Sequence, residues 1–272
     1  MSQSTDWMAA PQAADGHYAA IADVHGCRDL LARAFDRLDD ALPTDGQIVL
    51  LGDLIDRGPD SLGTLDLAIA GCGGRKIYPI CGNHESMVHS ALFEPDPDHK
   101  FGGAYFWMRN GGSTVLAELE ARGLPCGAEL EGLFGPARVA FLKSMLPHHR
   151  AGQVLFAHAG LDPDQTLVAQ LAQPVMDFGP LANGAQERTS MRWIREPWVG
   201  FNQPLHRTSI REDLFVVYGH TIQKGVLLTP CQAGTDLGAF MTGTLCVTEI
   251  DHDRMRFHFV GPQPEPVEVP EL

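Results

Sequence analysis

Ile48-Val49-Leu50-Leu51-Gly52-Asp53-Leu54-Ile55-Asp56-Arg57-Gly58 is the stretch that decides the fold. Four apolar residues end abruptly in Gly-Asp, which reads as a buried strand delivering a carboxylate at its carboxyl end. Asp23 lies 30 residues before Asp53, and Asn83 lies 30 residues after it. A strand, a helix and the return to the next strand take roughly 30 residues, so the three positions fit equivalent ends of neighbouring strands. Weaker apolar runs precede the other two: Tyr18–Ala22 before Asp23, and Ile77–Ile80, interrupted by Pro79, before Asn83. Two later runs end the same way. Val154-Leu155-Phe156-Ala157 leads into His158, and Leu214-Phe215-Val216-Val217-Tyr218 leads into Gly219-His220. Open α/β sheets place their sites beyond the carboxyl ends of such strands.

Between these runs, apolar spacing and turn residues predict helices from Cys27 to Asp39, Ser61 to Ala70, Glu85 to Leu92, Ser113 to Ala121 and Ala137 to Met145. Glu94 to Gly112 is rich in Pro, Gly, His and aromatics and reads as an insertion over the site rather than scaffold. Its Phe101, Tyr105, Phe106 and Trp107 are expected to wall the cleft. Pro163 to Pro204 also reads as irregular. Strands then dominate, at Leu214–Tyr218, Gly225–Leu228, Gly243–Ile250 and Arg254–Val260, with Asp251-His252-Asp253 as a hairpin turn. The expected fold is α/β, with two packed sheets and helices outside.

The 272 residues carry a net charge of −14 with a pI near 5.2, and 44% are hydrophobic. That supports a sizeable core and disfavours nonspecific binding to nucleic acid or an anionic membrane. No apolar run approaches the roughly 20 residues that span a bilayer. Met1 to Gly16 lacks basic residues and a hydrophobic segment, so it is not a secretory signal. Residues 1–16 and 262–272 are expected as flexible tails around one domain, 17–261. Six cysteines without a C-x-x-C pair point to reduced thiols in a cytoplasmic protein. Cys27 and Arg33 match a C-x5-R phosphate loop in spacing. The intervening residues lack glycine, and Leu30, Leu31, Ala34, Phe35 and Leu38 mark an amphipathic helix, so that reading is rejected.

The polar residues at the strand ends form one inventory. Asp23 and His25 can project from one turn onto a first divalent ion. Asp53, central in the order, is the expected bridging carboxylate, and Asn83, His158 and His220 would complete a second ion's site. Without a thiolate nearby, Mn, Fe, Zn or Mg are favoured. A hydroxide bridging two such ions is a nucleophile for phosphate esters. Arg57 and Arg195 match phosphoryl oxygens as planar forks, with Arg192 competing for the second role. His84 can protonate a leaving alkoxide, and Asp56 can orient it. Each of these residues alone has an ordinary reading as a cap, turn or core histidine; their joint order at strand ends carries the assignment.

At these residues the chain resembles the phosphoprotein phosphatase family of calcineurin-like metallophosphatases. The family's GDxHG, GDxxDRG, GNHE, HAG and GH patterns occur in order, with Ala22 in place of the first glycine. Arg57–Ser61, Trp107–Gly112, Trp193–Glu196, Gly219–Thr221 and Thr235–Ala239 are similar to its bacterial and phage branch. The resemblance implies a four-layer α/β/β/α sandwich with two mixed sheets, and manganese as the metal. It implies a phosphorylated protein or peptide substrate cleaved at phosphoserine or phosphothreonine. It places Asp23 and His25 on one metal, Asp53 as the bridge, and Asn83, His158 and His220 on the other. His84 with Asp56 becomes the acid pair, and Arg57 with Arg195 the phosphate clamp. Symmetrical diadenosine tetraphosphatases form a sister branch that usually carries Gln at the position of His25 and Asp at that of Glu85. A non-catalytic metal-binding scaffold is a third reading, disfavoured because no ligand or acid is missing.

Overall fold

The apolar run around Leu50 forms β4 (Gln47–Leu50), buried from Ile48 onward. It runs parallel between β3 (His17–Ile21) and β5 (Ile77–Pro79), with Leu50 opposite Ile21 and Pro79. The computed structural model describes residues 2–123, 130–175 and 190–266. An antiparallel hairpin, β11 (Leu245–Asp251) and β12 (Arg254–Val260), extends this sheet beside β3 and turns at His252-Asp253, as expected. The second sheet has the order β6 (His149–Ala151), β7 (Val154–Phe156), β8 (Phe215–Tyr218), β10 (Gln232–Gly234) and β9 (Leu227–Thr229). Both sheets are mixed. Each has a parallel triplet, β3-β4-β5 in the first and β7-β8-β10 in the second.

Side-chain alternation shows how the sheets pack. Phe215 and Val217 of β8, with Val154 and Phe156 of β7, join the core shared with the first sheet. Val216, Tyr218 and Leu155 point the other way, into a second cluster with Trp198, Ile194 and Leu205. A strand buried on both faces must be apolar throughout, which is why these runs are unbroken.

Helices cover the outer faces. α1 (Arg28–Ala41) buries Leu30, Leu31, Ala34, Phe35 and Leu38, so Cys27 leads into a packed helix and not a phosphate loop. α2 (Ser61–Ala70) is capped by Asp60, which accepts the Gly63 N–H at 2.9 Å. α3 (Asn83–Phe93) starts two residues earlier than expected, because the Glu85 side chain reaches back to the Gly82 N–H at 3.0 Å and completes its first turn. The Glu94–Gly112 segment, where no helix is expected, is largely helical. Asp96 caps α4 (Pro97–Trp107), with Pro97 at its first turn, and a kink at Gly111, whose φ is 122°, leads into α5 (Ser113–Ala121). Gly103 and Trp107 are the buried positions of α4, too sparse to show an apolar period. α6 (Leu130–Phe134) and α7 (Pro136–Ser144) follow, then α8 (Leu167–Leu171), inside the segment expected to be irregular, and α9 (Ala239–Thr242). The remainder of that segment falls partly at 176–189, outside the described residues.

The amino-terminal residues correct another expectation. Where a loose tail is expected, β1 (Ser2–Ser4) and β2 (Met8–Ala9) pair antiparallel with β12. Backbone groups on a sheet edge pair with any extended segment, whatever its side chains. Trp7 adds contacts beneath the guanidinium groups of Arg254 and Arg256, 4.5 and 4.3 Å from its ring. The carboxyl-terminal segment 262–272 is described through residue 266, and the rest lies outside the described residues. Cys27, Cys72, Cys81, Cys231 and Cys246 are free; Cys126 lies outside the described residues.

One buried ionic cluster ties the first sheet together. Glu249 of β11 meets His17 at 2.8 Å, Arg256 at 2.7 Å and His258 at 2.5 Å, and is fully buried. Burial disfavours its charge, but hydrogen bonds from His17, His258 and Arg256 outweigh that and hold the carboxyl well below the usual glutamate range. Removing one partner of a buried ion pair costs roughly 3–5 kcal/mol, so Glu249→Ala should lower stability by about that much in urea denaturation at pH 7. A carboxylate with a depressed pKa stabilises the fold fully above its unfolded value, about 4.3 for glutamate, and progressively less as pH falls below it. The gap between wild type and Glu249→Ala should therefore narrow on acidification below pH ~4.

Candidate metal centre

The polar residues singled out from the sequence meet where the two parallel triplets end. Asp23 and His25 follow β3. Asp53, Asp56 and Arg57 follow β4, and Asn83 and His84 open α3 just beyond β5. His158 follows β7 and His220 follows β8. The connecting loops are strained. Among the described residues seven non-glycine positions have positive φ, and five of them are His25, Asp53, Asp56, Arg57 and His220. Each such residue costs of order 1–3 kcal/mol, a concentration typical of functional sites. Two glycines permit the close approach. A Cβ on Gly219 would lie 1.9 Å from Oδ1 of Asp23, and one on Gly82 would lie 2.2 Å from Oδ1 of Asp53.

Two overlapping groups could hold ions, His25-Asp53-His84 and Asp53-His158-His220, each with ligand atoms within 4.8 Å of one another. Asp53 belongs to both, the position expected of a bridge. Nε2 of His25 lies 3.5 Å from Oδ2 of Asp53, and Nε2 of His158 lies 3.4 Å from Oδ1. Oδ1 of Asn83 is 2.9 Å from Nε2 of His158 and 3.0 Å from Nδ1 of His220. The other ring nitrogens of His25 and His158 face the backbone carbonyls of Ile55 and Leu51, both at 2.8 Å. A carbonyl only accepts, so each Nδ1 carries the proton and each Nε2 presents a lone pair. Those lone pairs converge on carboxylate and amide oxygens, which are acceptors too. Burial keeps the imidazoles neutral: it lowers the pKa of His25 to about 3 and also lowers those of His158 and His220. Facing acceptors with no proton between them fit a divalent cation, and the N and O donor set suits Mn, Fe, Zn or Mg.

Asp23 lies slightly apart, with both carboxylate oxygens 3.0 Å from the backbone N–H of His220. Burial, then the charges of Asp236 and Asp53, push its pKa well above the usual carboxylate range. A bound cation would reverse that balance. Burial also works against charge on Asp53, but His158, His84, His25 and His220 around it hold its carboxyl below the usual range.

His84 is close to the ligands but its nitrogens are committed elsewhere. Nδ1 meets Oδ2 of Asp56 at 2.6 Å, and Nε2 meets the Arg57 guanidinium at 2.9 Å. Arginine can only donate, so Nε2 holds its lone pair in this arrangement. Burial opposes protonation, yet Asp53 and Asp56 prevail and raise the His84 pKa above its ordinary value. Asp56 is fully buried, and burial raises its pKa against the hydrogen bonds from His84 and Trp107. The Arg57 guanidinium also sits 5.0 Å from the ring of Phe240.

The two candidate second arginines separate clearly. Arg192 is buried and donates to the carbonyl of Pro174 at 2.8 Å. Arg195 is exposed at the rim and donates to the carbonyl of His220 at 3.4 Å and Oγ1 of Thr221 at 3.2 Å.

Three residues have parts that sequence reading does not foresee. Glu85, taken as a residue of the helix start, also accepts the N–H groups of Asp53 and Leu54 at 2.8 Å, so it staples the Asp53 loop to α3. Asp236 follows β10 just as the ligands follow their strands, is buried, and its charge works against that of Asp23. Its strand, Gln232-Ala233-Gly234, is too short and polar to signal itself. Trp107 does not wall the cleft. It is buried, while Phe101 and Tyr105 are exposed and Phe106 packs 6.1 Å from Trp193.

Comparison with known proteins agrees with this geometry. Residues 16–224 match calcineurin-like phosphoesterases. A symmetrical bis(5′-nucleosyl)-tetraphosphatase of Ralstonia nicotianae is 42% identical over 66 residues, 24% of this chain and 22% of that protein. Serine/threonine-protein phosphatase 1 of Salmonella typhimurium is 35% identical over 98 residues, 35% of this chain and 39% of that protein. In both cases the match spans less than half of the relative's length. A symmetrical bis(5′-nucleosyl)-tetraphosphatase of a Janthinobacterium species is 25% identical over 283 aligned positions, covering 90% of this chain and 96% of that one. The solved structure of a cold-active protein-tyrosine phosphatase from a Shewanella species shares the fold, with a TM-score of 0.54 and 18% identity over 86% of this chain and 77% of that chain. The match over residues 16–224, together with two mixed sheets meeting at a cluster of potential metal ligands, shows that the chain belongs to the calcineurin-like phosphoesterases.

Proposed function

We propose that the chain hydrolyses phosphoserine and phosphothreonine monoesters in proteins or peptides, in the cytoplasm, using two divalent ions, with manganese as the working metal. The observation that carries this reading is the His84–Asp56 pair at 2.6 Å, poised beside acceptors that converge around Asp53. Asp23, His25 and Asp53 would hold one ion, and Asp53, Asn83, His158 and His220 the other. When bound, the ions supply an activated water and offset phosphate charge. Arg57 and Arg195 bind phosphoryl oxygens. Once Arg57 turns from Nε2 to the phosphate, Nε2 of His84 takes up a proton from water and gives it to the departing serine oxygen, and Asp56 holds the imidazole in register through Nδ1. Among the described residues no helix is long and apolar enough to cross a membrane.

Arg195→Ala should lower kcat/KM on a phosphopeptide roughly 10- to 100-fold, in line with about 1.5–3 kcal/mol for a hydrogen bond to a charged group. Metal content should stay intact. Arg192→Ala should act on thermal stability instead, because its guanidinium is tied to Pro174. The reverse pattern would make Arg192 the clamp.

The long alignment with a symmetrical tetraphosphatase supports a second reading, a dinucleotide substrate. Two positions favour the protein substrate: His25, whose imidazole faces Asp53 where that branch usually has glutamine, and Glu85, where it usually has aspartate. The exposed Phe101 and Tyr105 on α4 offer apolar surface to a peptide. The deciding assay compares kcat/KM of the manganese-loaded protein on a phosphoserine peptide, a phosphotyrosine peptide, diadenosine tetraphosphate and an aryl phosphate. The phosphoserine peptide should exceed the dinucleotide; a large preference for the dinucleotide would establish the second reading.

A further inference from the structure

Trp107 lies 51 residues from Asp56 in the chain, yet its indole Nε1 is 2.9 Å from both Oδ1 and Oδ2 of that carboxylate. Nδ1 of His84 meets Oδ2 at 2.6 Å. The Asp56 backbone is held as well, its N–H donating to Oγ of Ser61 at 3.0 Å. Two side-chain donors therefore set the rotation of a fully buried carboxylate. The indole in turn has little freedom. A Cβ on Gly112 would come within 2.5–2.6 Å of three of its ring atoms, so the ring rests on glycine backbone, and the Phe134 ring lies 6.2 Å away, centre to centre. The same turn places Gly111 against Arg57, where an added Cβ would lie 3.0 Å from Cγ of that arginine. A phenylalanine would supply comparable apolar bulk. What tryptophan adds is one N–H aimed at the carboxylate that orients His84.

We propose that Trp107 is a positioning residue for leaving-group protonation: its N–H fixes the plane of the Asp56 carboxylate, which aims Nε2 of His84 at the departing oxygen. This rests on the acid role of His84 proposed above. A buried tryptophan that merely fills space would affect all substrates alike. One that aims an acid affects only leaving groups that need the proton.

The test uses the full chain loaded with manganese, with Trp107→Phe and a second variant carrying 3-benzothienylalanine at position 107. The latter keeps the bicyclic shape, lacks the N–H, and covers the case in which phenylalanine impairs folding. On a phosphoserine peptide, kcat should fall about 10- to 100-fold with KM unchanged, a share of the roughly 10²–10⁴-fold that general acid catalysis supplies. On nitrophenyl phosphate, whose leaving group departs without a proton, the fall should be about 3-fold or less. Placed in an Asp56→Asn background, the same replacement should add little selectivity, because the two side chains act as one unit. Equal losses on both substrates, no loss on the peptide, or an undiminished selective loss in the Asp56→Asn background would each overturn the proposal. His84→Asn, assayed in parallel, separates the two levels. Selectivity in His84→Asn but not in the position-107 variants defeats the role of Trp107 alone. Its absence in His84→Asn defeats the acid assignment itself.

Discussion

Asp53→Asn should cut turnover of a phosphoserine peptide by at least about 10³-fold, because a metal centre contributes several kcal/mol of transition-state stabilisation and Asp53 is the side chain shared by both ion-binding groups. Metal analysis of the purified variant should fall from near two ions per chain to below one. Asn83→Ala and His158→Ala should each empty or weaken one site, since Asn83 Oδ1 and His158 Nε2 face each other at 2.9 Å. Loss of metal should also lower thermal stability. Burial and neighbouring carboxylates make the charge on Asp23 costly in the bare protein, so a cation relieves more than it displaces. Undiminished turnover by chelator-treated protein would defeat the two-ion reading.

The second large effect concerns His84. A serine alkoxide leaves poorly without a proton, whereas nitrophenolate is stable as an anion. His84→Asn should therefore reduce phosphoserine hydrolysis by about 10²–10⁴-fold while sparing much more of the nitrophenyl phosphate activity. Metal content should stay near two ions per chain, since both ring nitrogens of His84 are engaged by Asp56 and Arg57. Asp56→Asn should show the same selectivity more mildly, because it removes the partner that orients the ring. Equal losses on the two substrates with intact metal would show that His84 is not the leaving-group acid.

The residues named in these predictions are legible in the amino-acid sequence itself, and the reason is local. The clearest ligand loops announce themselves as strands that end: β4 before Gly52-Asp53 and β8 before Gly219-His220 are buried apolar runs that stop at glycine, where the chain must turn. The 30-residue steps from Asp23 to Asp53 to Asn83 reflect strand, helix and return, and β3, β4 and β5 do lie side by side in parallel. The face of α1 is equally legible, because Leu30, Leu31, Ala34, Phe35 and Leu38 repeat with the helical period.

What stays hidden depends on contacts between distant residues or on backbone alone. α4 escapes detection because most of its residues face outward and leave no period, although Asp96-Pro97 is a start signal. β1 pairs through main-chain groups with a strand more than 250 residues away, and Ser2-Gln3-Ser4 carries no side-chain signature of that. The choice of Arg195 over Arg192 for the rim turns on which guanidinium the fold buries against Pro174. Glu85 reads as a helix-start residue until the fold brings the N–H groups of Asp53 and Leu54 to its carboxylate. Trp107 reads as one aromatic among several until its N–H meets Asp56. The sequence alone therefore determined most of the strands and helices around the candidate site and the polar residues at their ends, because strand and helix periods and strand-end residues are written in neighbouring positions. The tertiary structure decided how those residues are oriented, because a hydrogen bond across 30 to 50 residues has no local pattern and exists only once two loops are brought together.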